Sequence, residues 1–263
     1  MNILITGIHG FVGSNLVAAL KEQHTIYGLD IVSPPKDGVV QTFLWSDLNN
    51  IPFIDIVIHL AGKAHDTRNQ TNSQVYFDIN TGLTKKIFDW FLTSKASKFI
   101  FFSSAKAVAD SVGYDILTED WIPSPKGPYG ESKLAAENYI LRHLPCSMPH
   151  AISPIPQSPC SMPQAPCKVY ILRPCMIHGP GNKGNLNLLY KIVSKGIPWP
   201  LGFFENKRSF TSIGNLQFII KQLVEENILE GTYNIADDKP LSTNELIRLI
   251  SATRSRETYK AAP

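Results

Sequence analysis

Asn2-Ile3-Leu4-Ile5-Thr6-Gly7-Ile8-His9-Gly10-Phe11-Val12-Gly13 decides the fold of this chain. The run from Asn2 to Thr6 is short and apolar, as suits a buried parallel strand. Phe11, Leu16, Val17 and Leu20 then recur at helical spacing. The three glycines therefore fall on a strand-to-helix turn. Gly7 permits the tight turn, Gly10 lets backbone approach a ligand, and Gly13 lets the helix lie close to the sheet. Unpaired N–H groups and the positive end of the helix dipole attract an anion there. A glycine-rich turn without a ligand is the plainer alternative, but a loop between a strand and a helix points to a dinucleotide pyrophosphate.

Outward from this loop, Thr25-Ile26-Tyr27-Gly28-Leu29-Asp30 reads as a second strand ending in an acid. A carboxylate at that point accepts hydrogen bonds from ribose hydroxyls and repels a 2′-phosphate, which favours NAD over NADP. Strand signals continue near 55–60, 98–103 and 168–173 with helical patterns between them. Such alternation predicts an α/β fold, a doubly wound parallel sheet of Rossmann type. The expected organisation is a nucleotide-binding domain over 1–183 and a small substrate lobe over 184–263. The lobe takes in Asn185 to Lys195, Trp199-Pro200-Leu201 and Ser242 to Ile250, interleaved with sheet strands near 209–213 and 232–236.

Tyr129-Gly130-Glu131-Ser132-Lys133 places a phenol and an ammonium one helical turn apart on one face. A free tyrosine titrates at about 10. The lysine, together with a cationic nicotinamide ring, is expected to lower that value toward working pH. Ser103-Ser104 follows the apolar run Phe99-Ile100-Phe101-Phe102, and Ser104 would hold the reacting oxygen of a substrate. A Tyr-x-x-x-Lys pair alone is a common surface pattern; the glycine loop and the serine pair give it weight.

The combination resembles the extended short-chain dehydrogenase/reductase family of NAD-dependent sugar-nucleotide epimerases, dehydratases and reductases. The resemblance rests on Thr6-Gly7-x-x-Gly10-x-x-Gly13, Asp47-Leu48, His59-Leu60-Ala61-Gly62, Asn80-Thr81-Gly82, Ser104, Tyr129-x-x-x-Lys133, and Leu172-Arg173-Pro174 through His178-Gly179-Pro180-Gly181. It extends over roughly residues 1–250. It implies a retained NAD contacted by Gly7, His9, Gly10, Phe11, Val12, Gly13, Asp30, Asp47, Leu48, Leu60, Ala61, Gly62, Asn80, Tyr129, Lys133 and Pro174. It implies catalysis by Ser104, Tyr129 and Lys133, and contacts to a nucleotide-sugar substrate from Ser104, Asn187, Leu188 and Arg208. The planar fork of Arg208 suits a diphosphate.

The 4,6-dehydratases of that family carry an acidic pair directly after the catalytic hydroxyl residue. Here Ala105 and Lys106 stand there. The resemblance thus implies an epimerase, acting at C4 of a UDP-hexose or UDP-N-acetylhexosamine of bacterial polysaccharide synthesis. A 4-ketoreductase using NAD(P)H, or an NAD-binding protein without catalysis, are the alternatives. It also implies a homodimer paired through the Tyr129 helix and the helix near Thr81 to Trp90. Relatives run several dozen residues beyond the last helix, so the substrate lobe is expected to be incomplete.

Composition narrows the rest. A net charge of +3 over 263 residues, with no basic run, gives no basis for binding nucleic acid. No apolar stretch reaches membrane-spanning length, and the chain begins directly with a strand, so the expected place is the cytoplasm. The four cysteines, Cys146, Cys160, Cys167 and Cys175, have no metal-ligand spacing and are expected to be free thiols. His9, His59 and His178 are expected to be packed or hydrogen-bonding residues. The repeated Pro-Cys-Ser-Met-Pro at 145–149 and 159–163 marks 145–167 as an exposed low-complexity insertion.

Overall fold

The computed structural model describes residues 1–63, 72–113, 116–144, 167–182, 185–195 and 206–260. The repeat at 145–149 and 159–163, with Cys146 and Cys160, lies outside the described residues, as do 199–201. The chain begins β1 (Asn2–Thr6), α1 (Phe11–Leu20), β2 (Thr25–Asp30), β3 (Gln41–Leu44), β4 (Ile56–His59) and α2 (Ser73–Tyr76). It continues α3 (Leu83–Thr93), β5 (Lys98–Phe102), α4 (Pro128–Arg142), β6 (Lys168–Pro174) and β7 (Met176–His178). Then come α5 (Asn185–Ser194), β8 (Phe210–Ser212), α6 (Ile213–Glu225), β9 (Gly231–Ile235) and α7 (Thr243–Lys260).

Seven strands form one sheet in the order β3-β2-β1-β4-β5-β6-β9, and every pairing is parallel. This is the doubly wound, Rossmann-like fold. Its central strands are apolar throughout because helices cover both faces. In β4 all four residues are buried, and in β1 and β5 all but the first. On one face Ile87, Phe88 and Phe91 of α3 pack with Phe99, Phe101 and Val57 of the strands and with Ala136 and Ile140 of α4. Burying each such large side chain stabilises the fold by roughly 1.5–3 kcal/mol. Lys98 begins an apolar strand for a local reason. Its ammonium donates to the carbonyls of Leu223, Val224 and Glu226 at 2.8, 2.9 and 2.9 Å, closing the C-terminal end of α6.

The chain divides into two compact units. The first comprises Met1–Pro174 and Gln217–Ile235, and the second Cys175–Leu216 and Ala236–Pro263. In the second, β7 pairs in parallel with β8, Met176 opposite Phe210 and His178 opposite Ser212. The sequence placed a strand of the main sheet's pattern near 209–213; the three residues Phe210–Ser212 instead form this separate two-stranded ribbon. Asp237 fixes it, accepting the Ser212 N–H at 3.0 Å and the Asn215 side chain at 2.8 Å. Cys167 and Cys175 are free thiols, both raised above the usual thiol range by burial. No described helix is long and apolar enough to cross a membrane.

Candidate active site

Strand order reverses between β1 and β4, where Thr6 lies beside both Leu29 of β2 and His59 of β4. The crevice at the carboxyl ends of strands beside such a reversal is where open α/β sheets take ligands. The glycine loop lies here. Gly7 holds φ at +68°, and its N–H donates to Leu29 O at 2.8 Å. Gly10 begins α1 with its N–H on Gly7 O at 3.0 Å, and it is exposed. Gly13 is buried against the loop: a Cβ there would sit 2.5 Å from Gly7 O. Phe11 and Val12 are half-buried in the first turn. Asp30, at the tip of β2, faces the same loop, its Oδ2 accepting from the His9 N–H at 3.0 Å and its Oδ1 from Ile31 N–H at 2.8 Å. The His9 imidazole is turned inward, its Nε2 buried and without a hydrogen-bond partner. Asp47 accepts from Leu44 N–H and the Ser46 hydroxyl beside β3, and the Leu48 side chain belongs to the core. Pro174 is buried at the end of β6.

His59 joins the loop to the next element. Thr6 Oγ1 accepts the N–H groups of Leu60 and Ala61 at 3.1 and 3.0 Å, so its own proton goes to His59 Nδ1 at 2.7 Å. That leaves the ring proton on Nε2, which donates to Thr84 Oγ1 at 2.9 Å; Thr84 in turn donates to Asn80 O at 2.6 Å. The relay therefore has one direction and a neutral imidazole at its centre. Burial holds the His59 pKa well below the ordinary histidine value, with the Lys133 charge adding to the effect. The sign follows: below about pH 6.5 the unfolded chain binds a proton that the folded chain refuses. Stability should therefore fall as pH drops from about 6.5, and this slope should flatten in His59→Gln, at a neutral-pH cost of about 1–3 kcal/mol for the disturbed bonds. Thermal denaturation between pH 5 and 8 checks both.

Asn80 sits in a π-helical turn, Phe77–Gly82, between α2 and α3. A π turn within a helical stretch commonly marks a functional site. Its amide accepts from Lys63 N–H at 2.7 Å and donates to Lys63 O at 3.3 Å and to Ser132 Oγ at 3.0 Å. Ser132 donates to Tyr129 O at 2.9 Å. One side chain thus ties the segment after β4 to the first turn of α4. That helix begins as its sequence dictates, with Pro128 at its first position and Glu131 accepting the Gly127 N–H at 3.2 Å.

Ser104, Tyr129 and Lys133 meet at the end of β5. Ser104 accepts the Lys106 N–H at 3.2 Å and hydrogen-bonds the Tyr129 phenol. The Tyr129 ring meets the buried Tyr76 edge-on at 6.3 Å, and Lys63 Nζ lies 5.7 Å from the Tyr76 ring. Lys133 is buried, with Nζ donating to Phe102 O at 2.7 Å and lying 5.1 Å from the Phe101 ring. A Cβ on Gly62 would lie 3.3 Å from that Nζ, so the ammonium is roofed by the segment after β4. Burial raises the Tyr129 pKa, the Ser104 hydrogen bond opposes it, and the neighbouring Tyr76 adds to the rise. Lys133 itself is brought down to about 8 by burial, with Glu137 opposing.

Two further charged residues lie beneath this trio, and their pairing is not written in any motif. Glu137 receives Arg173 from Nε and Nη2 at 3.0 and 2.6 Å, and also the Ser103 hydroxyl. The residues expected to meet a substrate diphosphate belong to the second unit. There Leu188 is exposed on α5, and Arg208 is exposed, its backbone bridged to Leu241 at 3.0 and 2.9 Å. The Asn187 side chain lies outside the described residues.

A glycine loop at the strand reversal, with a serine, tyrosine and lysine gathered at the end of β5, defines a nucleotide-dependent enzyme of the doubly wound class. The chain belongs to the NAD dependent epimerase/dehydratase family, which it matches over residues 3–236, and its cofactor is NAD. It is 30% identical to the UDP-glucose 4-epimerase of Vibrio cholerae over 98% of this chain and 77% of the relative. It is 24% identical to the GDP-6-deoxy-D-mannose reductase of Pseudomonas aeruginosa over 95% of this chain and 79% of the relative. Among solved structures it resembles MoeE5 in complex with UDP-glucuronic acid and NAD, with a TM-score of 0.77 at 22% identity over 97% of this chain and 83% of that one.

Proposed function

We propose that this enzyme is a sugar-nucleotide 4-epimerase acting on a UDP-linked hexose or N-acetylhexosamine, with Tyr129 as acid and base. The observation that carries the reading is the meeting of Ser104, Tyr129 and Lys133 at the strand ends beside the glycine loop. The residues present fit NAD. Gly10 leaves the start of α1 uncovered, since a Cβ there would meet only Gly7 O within 4 Å. The helix N-terminus and the loop N–H groups would hold the pyrophosphate. Asp30, already oriented by the His9 N–H, would accept from the ribose hydroxyls and disfavour a 2′-phosphate. When bound, NAD supplies a two-electron acceptor and donor at its nicotinamide ring.

The chain's own residues do the rest. Ser104 orients the reacting sugar oxygen and hydrogen-bonds the phenol. Tyr129 takes the hydroxyl proton at Oη as the sugar carbon is oxidised and returns it as that carbon is reduced. The Lys133 ammonium stabilises the phenolate in between. Elimination of water would need a carboxylate beside the phenol, but Lys106 stands where a 4,6-dehydratase has an acid and pairs with Asp110 at 3.1 Å. The likeness to the Vibrio cholerae epimerase over nearly the whole chain agrees with this choice.

The test is incubation of the purified protein with UDP-glucose, UDP-galactose and their N-acetylhexosamine counterparts, with product analysis. Interconversion of a 4-epimer pair without net NADH consumption is the expected result. Product formed only with stoichiometric NADH would make the protein a reductase. NAD binding without any product would leave a protein that holds the cofactor and does no chemistry.

A further inference from the structure

Three charged side chains share the interior beneath the phenol, and only one of them is negative. Lys133, Glu137 and Arg173 are 5%, 1% and 5% exposed. Both Glu137 oxygens are taken, by the Arg173 guanidinium and by the Ser103 hydroxyl. Arg173 Nη1 is buried and has no hydrogen-bond partner, so no second acceptor shares the guanidinium. Lys133 Nζ has a carbonyl, Phe102 O, in place of a carboxylate. Glu137 follows Lys133 by one helical turn, so its charge faces the ammonium along the same buried stripe. The one carboxylate is bonded to Arg173 and stands one helical turn from the ammonium.

We propose that the Glu137–Arg173 ion pair is a positioning device that sets the charge of Lys133, Glu137 favouring the ammonium form from one helical turn away and Arg173 limiting how strongly it does so. The geometry gives the pair a second effect. Ser103 lies between Phe102, whose carbonyl anchors Lys133, and Ser104, which bonds the phenol. Gripping Ser103 from α4 and β6 fixes both groups against the helix that carries Tyr129. Lys133 is coupled to Glu137 on its own helix and to His59 on β4, with Tyr129 one turn before it and Arg173 of β6 reached through Glu137. His59 is neutral, which leaves Glu137 as the source of attraction. The direction of the Lys133 titration agrees, burial lowering it to about 8 and Glu137 opposing. This inference rests on Tyr129 and Lys133 as the reacting pair, but its test needs no turnover.

The experiment is a ¹³C NMR titration of the lysine side chains in the full-length protein without added nucleotide, Lys133 being assigned by Lys133→Arg. Glu137→Gln should lower the Lys133 midpoint by about one pH unit, and Glu137→Asp, which keeps the charge, should lower it less. Arg173→Met frees the carboxylate and should raise the midpoint. An unmoved midpoint in Glu137→Gln, or equal shifts in the Gln and Asp variants, would overturn the proposal. Removing one member of a buried pair is strongly destabilising, whereas replacing both is better tolerated. If Glu137→Gln does not fold, Glu137→Gln combined with Arg173→Met decides: a lowered midpoint supports the proposal, and one at or above wild type overturns it. Failure of the UDP-hexose assay with these shifts intact would count against the epimerase reading alone.

Discussion

Tyr129→Phe is expected to lower turnover on the best UDP-hexose by roughly 10²–10⁴-fold, the range that a positioned acid–base group contributes. Thermal stability should change little, and NAD affinity should fall far less than turnover. The substitution removes one oxygen and keeps the ring, so the edge contact with Tyr76 at 6.3 Å survives. The Ser132 bond to the residue-129 carbonyl is untouched, and with it the Asn80 tie to the segment after β4. What disappears is the group hydrogen-bonded to Ser104 and raised in pKa by burial. A buried phenol that titrates high holds its proton when the site is at rest, so its loss should bear on proton transfer more than on binding. In steady-state terms, kcat should fall with KM nearly constant. Initial rates over the same substrate panel measure kcat and KM, and calorimetric titration with NAD measures cofactor affinity. A variant that keeps within a few-fold of wild-type turnover would remove Tyr129 from the chemistry and transfer the burden to Ser104 or an unassigned group.

Much of this architecture was legible in the residues themselves. The strand, turn and helix from Asn2 to Leu20 carry glycines that only a tight, close-packed loop requires, and the apolar runs of β4, β5 and β6 announce a sheet buried on both faces. The strand β3 was not legible. Gln41-Thr42-Phe43-Leu44 lies at the sheet edge with one buried residue, and an edge strand lacks the continuous apolar run by which its neighbours are recognised. The ribbon of β7 and β8 has three residues a side, too few for any periodicity to register.

At the site, the four-residue spacing of Tyr129 and Lys133 fixed their shared helical face, but spacing carries no information about solvent. The burial that raises the Tyr129 phenol was therefore not legible. Glu137 and Arg173 left faint signals: an acid at a core-facing position of α4, and a cation near the end of an apolar strand. A buried charge requires a buried partner. Which partner it finds depends on the register of α4 over β5 and β6, a tertiary fact.

Gly13→Ala is expected to destabilise the protein by about 1–3 kcal/mol, the usual cost of forcing a methyl group into a close-packed site, and to weaken NAD binding at least about tenfold. The added carbon would lie 2.5 Å from Gly7 O, 2.8 Å from Ile8 Cα and 2.9 Å from Ile8 O. All three are backbone atoms of the loop, so no side chain can rotate away. Either α1 lifts from the sheet or the loop opens, and each displaces the N–H groups offered to the pyrophosphate. Gly10→Ala separates packing from ligand contact. Its Cβ would meet only Gly7 O, at 3.1 Å, and the residue is exposed with extended backbone, so the fold should scarcely respond. If backbone at Gly10 approaches a phosphate, the same methyl group should still reduce NAD affinity. Melting temperature and NAD calorimetry on the two variants give four numbers with a distinctive pattern: both quantities reduced at Gly13, affinity alone at Gly10. Retention of wild-type NAD affinity in both variants would mean that the dinucleotide does not lie against this loop.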